Sequence, residues 1–209
     1  MTELKTENPG QGMLILISGP SGSGKGTVCQ SLMNTCPDLN LRLSVSATTR
    51  SPRPDEVYGR EYFFISRQEF EKQASEGGFL EWAPIYGHLY GTPAKPVMDV
   101  LSRGENIILE IDVQGGLQVK ERFPDAVLIF LIPQSREILK SRLTCRGTDG
   151  AAEIEKRMLW VDTELGYMFR YDYILINDKL EDTVSGIKSI LEAERSRSKR
   201  FAMPNGWSV

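Results

Sequence analysis

Lys25 ends a run of glycines and small residues, Gly19-Pro20-Ser21-Gly22-Ser23-Gly24-Lys25-Gly26, that follows the apolar stretch Met13-Leu14-Ile15-Leu16-Ile17. A buried strand running into a glycine-rich turn and then a helix is the setting of a phosphate-binding P-loop. Backbone N–H groups left unpaired at a helix start, bared by glycines, converge on phosphate oxygens. Lys25 would then reach the β- and γ-phosphates of a nucleoside triphosphate. The motif places Ser or Thr after the lysine to ligate Mg²⁺, and here that position is Gly26. Thr27 lies one residue on, turned roughly 100° around the helix. A direct metal ligand is therefore not expected, and Mg²⁺ would be held through the triphosphate and water.

Further residues of chemical interest follow. Arg50 and Arg53 flank a proline-punctuated loop, and arginine suits phosphate because its donors form a rigid fork. Glu81 stands in the apolar string Phe79-Leu80-Glu81-Trp82, so it is either on a strand's wet face or working. Asp112 lies at the carboxyl end of an expected central strand, where ligands bind in open α/β sheets. Arg142 and Arg146, four apart, share a helix face, and Arg157 follows across Thr148-Asp149-Gly150. His88 is the lone histidine and reads as a surface residue.

Several strings in order resemble the guanylate kinase family. They are Ser44-Val45-Ser46-Ala47-Thr48-Thr49-Arg50-Ser51-Pro52-Arg53-Pro54, Glu56-Val57-Tyr58-Gly59, Tyr62-Phe63-Phe64, Phe79-Leu80-Glu81-Trp82, Tyr90-Gly91-Thr92, Glu110-Ile111-Asp112 with Gln114-Gly115, and Arg146-Gly147-Thr148. The resemblance runs from about residue 13 to 194. It implies transfer of the γ-phosphoryl group of ATP, with Mg²⁺, to GMP and dGMP. It further implies that Ser46, Glu81, Thr92 and Asp112 lie about the base, that Glu110 is also a GMP-binding residue, and that Arg50, Arg53, Tyr62 and Tyr90 hold the GMP phosphate. Lys25, Arg50, Arg142, Arg146 and Arg157 would stabilise the transferred group, the last three from a lid. Asn177 would lie near adenine. The chemistry agrees. Guanine offers N1–H and an N2 amino group side by side to a carboxylate, with O6 for a hydroxyl. A GMP phosphate is already ionised near neutrality, its second pKa being about 6, so no general base is needed and His88 has no role. Two rivals are a guanylate-kinase-like protein-binding module that has lost catalysis and a related P-loop kinase with another phosphorylated acceptor. The retained Lys25, Arg142, Arg146 and Arg157 argue against the first, and the Glu81, Asp112, Ser46 and Thr92 set against the second.

The elements that must position these residues alternate between short apolar runs and amphipathic stretches, which predicts an α/β fold with a mostly parallel sheet flanked by helices. This is the P-loop nucleoside monophosphate kinase fold implied by the resemblance. Strands are expected at 13–18, 106–112, 126–132 and 173–177, and helices at 25–36, 114–122, 135–145, 151–169 and 180–197. Leu41, Leu43 and Val45 alternate with polar residues as a strand with one wet face would. Strands are also expected at 62–65, 79–82 and 85–90, with a helix opened by the capping box Ser66-Arg67-Gln68-Glu69 and stopped by Gly77-Gly78. Thr92-Pro93 is expected to cap and open another helix. The domain reading is a core over 13–45 and 106–198, a GMP-binding mixed insert over 46–105, a helical lid over 140–165, and a tail over 199–209 without readable role. The basic cluster Arg195, Arg197, Lys199 and Arg200 reads as cations at a helix end.

At 209 residues the chain suits one sizeable domain, and 40% hydrophobic with 25% charged content is that of an ordinary globular protein. A net charge of −3 gives no basic field for nucleic acid. The longest apolar stretch, 126–132, is too short for a bilayer, and the polar, acid-bearing N-terminus reads as no signal peptide. Three cysteines without metal or redox spacing complete the expectation of a cytoplasmic protein whose partners are small nucleotides; oligomeric state is left open.

Overall fold

The structure is a computed structural model and describes residues 12–85, 87–145 and 151–200. Among these the chain order is β1 (Leu14–Ser18), α1 (Lys25–Thr35), β2 (Leu41–Leu43), β3 (Ser46–Thr48), β4 (Tyr62–Phe64), α2 (Arg67–Ser75), β5 (Phe79–Ile85), β6 (His88–Pro93), α3 (Ala94–Ser102), β7 (Asn106–Glu110), α4 (Val113–Arg122), β8 (Val127–Ile132), α5 (Arg136–Cys145), α6 (Ala151–Gly166), β9 (Tyr173–Ile176) and α7 (Leu180–Arg195).

The near-continuous apolar runs of β1 and β8 are those of strands covered on both faces. Their sheet is parallel throughout, in the order β2-β7-β1-β8-β9. The pleat sends Ile15 and Ile17 of β1 to one face, where they meet Val28 and Leu32 of α1 and Ile187 and Leu191 of α7. Leu14 and Leu16 point the other way, against Val97 and Leu101 of α3 and Val119 of α4. Each such side chain contributes roughly 1.5–3 kcal/mol on leaving water. Ile17 of β1 lies beside Glu110 of β7, so the glycine loop after β1 and Glu110-Ile111-Asp112 open on the same edge.

A second sheet, order β4-β3-β6-β5, carries α2, whose Phe70 is fully buried on Phe79, Ala47 and Leu89. β3 and β4 are parallel, while β6 runs antiparallel to both β3 and β5. Ser66 caps α2 by accepting the Glu69 backbone N–H at 3.2 Å, the half of the expected capping box that is formed. The two sheets are tied at α4, where Arg122 donates to the Leu80 carbonyl at 2.7 Å and Gln118 to that of Trp82 at 3.1 Å.

Some expectations are corrected. β2 ends at Leu43, which is 38% exposed, because β2 is the outer strand and only Leu41 reaches the core. β5 is longer than predicted and β6 lies three residues further on, and the two pair as a hairpin from Ile85 and His88 back to Phe79 and Pro93. Thr92 therefore belongs to β6, and Pro93, not Thr92, stands at the N-cap of α3. α6 stops at Gly166 and a separate turn over Met168–Arg170 leaves Phe169 exposed. In the basic cluster, Arg197 and Arg200 pair with the buried Glu194, and Lys199 with Asp125. No helix among the described residues is long and apolar enough to cross a membrane.

Candidate active site

Between the two sheets lies a cavity of about 280 Å³. The glycine loop forms one end. Gly19, Gly22 and Gly24 all have positive φ, at 147°, 89° and 90°. At Gly24 a Cβ would also stand 2.4 Å from the Asn177 amide nitrogen, so glycine is required twice over. Lys25, the first residue of α1, folds back so that Nζ donates to the Gly19 and Pro20 carbonyls at 2.7 and 3.1 Å. That leaves the ammonium over the loop it would serve. Gly19, Ser21, Gly22, Gly24, Lys25 and Gly26 line the cavity, whereas Pro20 and Ser23 are buried behind it and Thr27 is an exposed residue outside the lining. A Cβ at Gly26 would lie 3.4 Å from Oε2 of Glu110. The position where the motif carries a hydroxyl thus faces a carboxylate on the neighbouring strand.

Asn177 does not line the cavity. Its side chain donates to the Ser23 carbonyl at 2.7 Å and accepts from the Thr183 hydroxyl at 3.0 Å, so β9 and α7 brace the loop from behind. Arg142, in the last turn of α5, reaches the same side, with Nη1 3.8 Å from where a Gly24 Cβ would stand. Arg146 lies outside the described residues, as does the side chain of Arg157.

On the side of the four-stranded sheet, Glu81 is 5% exposed and accepts from the Thr92 hydroxyl, its register partner on β6, at 2.6 Å. Thr92 is wholly buried behind Glu81 and outside the cavity, while Ser46 lines it. Burial raises the Glu81 carboxyl to about 7; the Thr92 hydroxyl opposes this and the charge of Asp112 adds to it. Asp112 caps α4 through the Gly115 N–H at 2.7 Å and is itself pushed up by burial. The two carboxylates meet over Gly115, where a Cβ would stand 2.4 Å from Glu81 Oε2 and 3.2 Å from Asp112 Oδ1.

Another part of the lining is cationic and phenolic. The Arg50 guanidinium lies 5.6 Å from the Tyr62 ring centre and 5.8 Å from that of Phe64. Tyr62 and Tyr90 meet edge to face at 5.9 Å, and both line the cavity with Arg50 and Arg53. Burial, with Glu110 and Tyr90 nearby, pushes the Tyr62 phenol up to about 12, so it remains a donor across the physiological range.

The remaining wall escapes a reading of sequence. Trp160, Thr163, Glu164 and Tyr167 of α6 and the turn after it line the cavity at i, i+3, i+4 and i+7. Glu164 is raised to about 7 by burial, against the pull of Lys25 and with the push of Asp112. Its spacing marks one helix face; nothing in the sequence says that this face turns inward.

Together the cavity joins a glycine-rich loop with a lysine, two arginines with two phenols, and a pair of carboxylates. Residues 11–194 match the family model described as guanylate kinase. A guanylate kinase of Caldanaerobacter subterraneus subsp. tengcongensis is 49% identical over 190 residues, 91% of each chain. That of Carboxydothermus hydrogenoformans is 48% identical over 190 residues, 91% of this chain and 92% of the other. The crystal structure of guanylate kinase from Anaplasma phagocytophilum superposes with a TM-score of 0.75 at 31% identity, over 91% of this chain and 90% of that one.

Proposed function

This chain belongs to the guanylate kinase family and phosphorylates GMP at the expense of ATP, and we propose that the cavity between its sheets divides that work by end. ATP lies on Gly19 to Gly26 with Lys25 on its outer phosphates, and GMP lies on the four-stranded sheet. The insert over 46–105 is then the GMP-binding unit, the parallel sheet with its helices the ATP-binding core, and 140–165 the lid.

Ionised Glu81 accepts guanine N1–H and the N2 amino group, with Asp112 beside it and the Ser46 hydroxyl near O6. Thr92 acts by holding Glu81. Adenine presents an acceptor at N1 and would leave Glu81 buried and unpaired, the kind of mismatch that separates substrates by ~10⁴–10⁵. Arg50, Arg53, Tyr62 and Tyr90 hold the GMP phosphate facing Lys25. One of its oxygens attacks the γ-phosphorus in line. An O–P bond forms, the bond to the β-phosphate oxygen breaks, and ADP leaves with that electron pair. The nucleophile is already ionised, so catalysis reduces to alignment and charge neutralisation by Lys25, Arg50 and the lid arginines Arg142, Arg146 and Arg157. Closure excludes water from the γ-phosphate.

Mg²⁺ fits beside this loop because Glu110, a hard oxygen donor, faces Gly26. Glu110 is the residue that would help hold it there, and the ion would supply neutralisation of charge on the triphosphate. A cytoplasmic location agrees with the free, buried thiols of Cys29 and Cys36.

The observation that carries the reading is buried Glu81 beside the half-buried Asp112 in the same cavity as Lys25. ADP release should be measured with GMP, dGMP, AMP, CMP and UMP offered separately. Turnover with the guanine nucleotides alone is expected; equal turnover with AMP would remove Glu81 as the base reader.

A further inference from the structure

Glu56 takes no part in the transfer just described, yet it is bonded to both arginines of the acceptor's phosphate site. Its Oε1 accepts from Arg50 Nη2 at 2.8 Å, and its Oε2 accepts the Arg53 backbone N–H at 2.7 Å. Arg53 Nη1 lies 3.8 Å from Oε1 as well. The Arg50 and Glu56 side chains are only 16% and 13% exposed, so this pair is shielded from the solvent that weakens surface ion pairs. A second bond from Arg50 Nη1 to the Ser51 carbonyl, at 2.8 Å, fixes the guanidinium plane. The turn is closed by the Glu56 N–H donating to the Arg53 carbonyl at 3.1 Å.

A carboxylate on these arginines has two opposite readings. As a stand-in for phosphate it would compete with the acceptor; as a brace it would help. The lining of the cavity separates them. Arg50 and Arg53 face the cavity and Glu56 does not, so Glu56 grips the arginines from behind. Held so, the Arg50 side chain is ordered and the Arg53 backbone is anchored, with its guanidinium drawn to the same carboxylate, before the acceptor arrives. Arg50 keeps donors beyond those engaged by Glu56 and Ser51, since its guanidinium carries five. The Arg50 guanidinium in turn holds the Glu56 carboxyl below its usual range, so the brace stays ionised.

We propose that Glu56 is a positioning residue for the acceptor's phosphate, orienting Arg50 and Arg53 from the side away from the cavity. This rests on the assignment of those arginines to the GMP phosphate.

The test is steady-state kinetics with GMP and ATP varied separately for Glu56→Gln, Glu56→Asp, Arg50→Ala and the double variant Arg50→Ala/Glu56→Gln, each with its melting temperature. Glu56→Gln should raise KM for GMP about tenfold, the scale of one lost charge-assisted hydrogen bond, with KM for ATP within about twofold of the parent. Glu56→Asp should recover part of the loss. The double variant should raise KM for GMP by less than the product of the single effects, because both act through one guanidinium. An unchanged or lowered KM for GMP in Glu56→Gln, with Arg50→Ala impaired, overturns the brace. So does a parallel rise of both KM values with a fallen melting temperature, which marks a merely structural role. An Arg50→Ala variant with normal KM for GMP overturns the phosphate site itself, and the proposal with it.

Discussion

Glu81 carries two demands that oppose one another. In the proposed role it must be ionised to read guanine, and burial holds the proton on until about pH 7. Between its usual 4.5 and about 7 the native carboxyl is protonated while the unfolded one is not. The native state then binds more protons, so stability falls as pH rises through that window. The contribution is fully present below 4.5 and lost above about 7. Glu81→Gln should therefore raise the melting temperature at pH 8 more than at pH 4.5, while abolishing the preference for GMP over AMP. A smaller gain at pH 8 than at pH 4.5 would count against a strained carboxyl. At this scale the sequence was legible where residue type and chemistry coincide. An acid inside Phe79-Leu80-Glu81-Trp82 and arginines beside Pro52 and Pro54 point to their partners. Thr92 and Asn177 were half legible: both lie at the site, but behind it, holding Glu81 and the Ser23 carbonyl. Glu164 was not legible, because its inward direction depends on how α6 packs.

Among the elements, the glycine loop depends on support that comes from far along the chain. Asn177 follows β9 and is steadied by Thr183 of α7, so two late elements hold a loop formed by the first strand and helix. Asn177→Ala removes the brace without touching the cavity. It should raise KM for ATP several-fold, about what one buried hydrogen bond supplies, and leave KM for GMP unchanged. A shift in KM for GMP alone would place Asn177 in the other half of the site. The parallel-sheet strands could be read from their apolar runs because both faces are covered. β2 shows in the alternation of Leu41, Leu43 and Val45, but as an outer strand it pairs only over Leu41–Leu43, so its end at Leu43 does not show. The α3 cap was misread for a similar reason: Thr92-Pro93 has the local form of a helix start, but pairing with Glu81 and Phe79 draws both residues into β6.

For the molecule as a whole, the proposed function rests on setting two sheets against one another across one shared cavity. The parallel sheet offers backbone N–H groups and Lys25 at its carboxyl edge; the mixed sheet offers Glu81, Arg50, Tyr62 and Tyr90. Neither sheet has both halves of the chemistry. Arg122 and Gln118 of α4 tie the mixed sheet to the core through carbonyls of β5, so the two can meet in a fixed register. The most direct test uses a dinucleotide in which adenosine and guanosine are joined through their 5′ positions by a pentaphosphate. If ATP and GMP occupy the two ends of one cavity with their phosphates in line, this compound should inhibit competitively against ATP and against GMP. It should also bind far more tightly than its counterpart bearing two adenosines. Competition with ATP alone, or equal affinity for the two dinucleotides, would contradict the account.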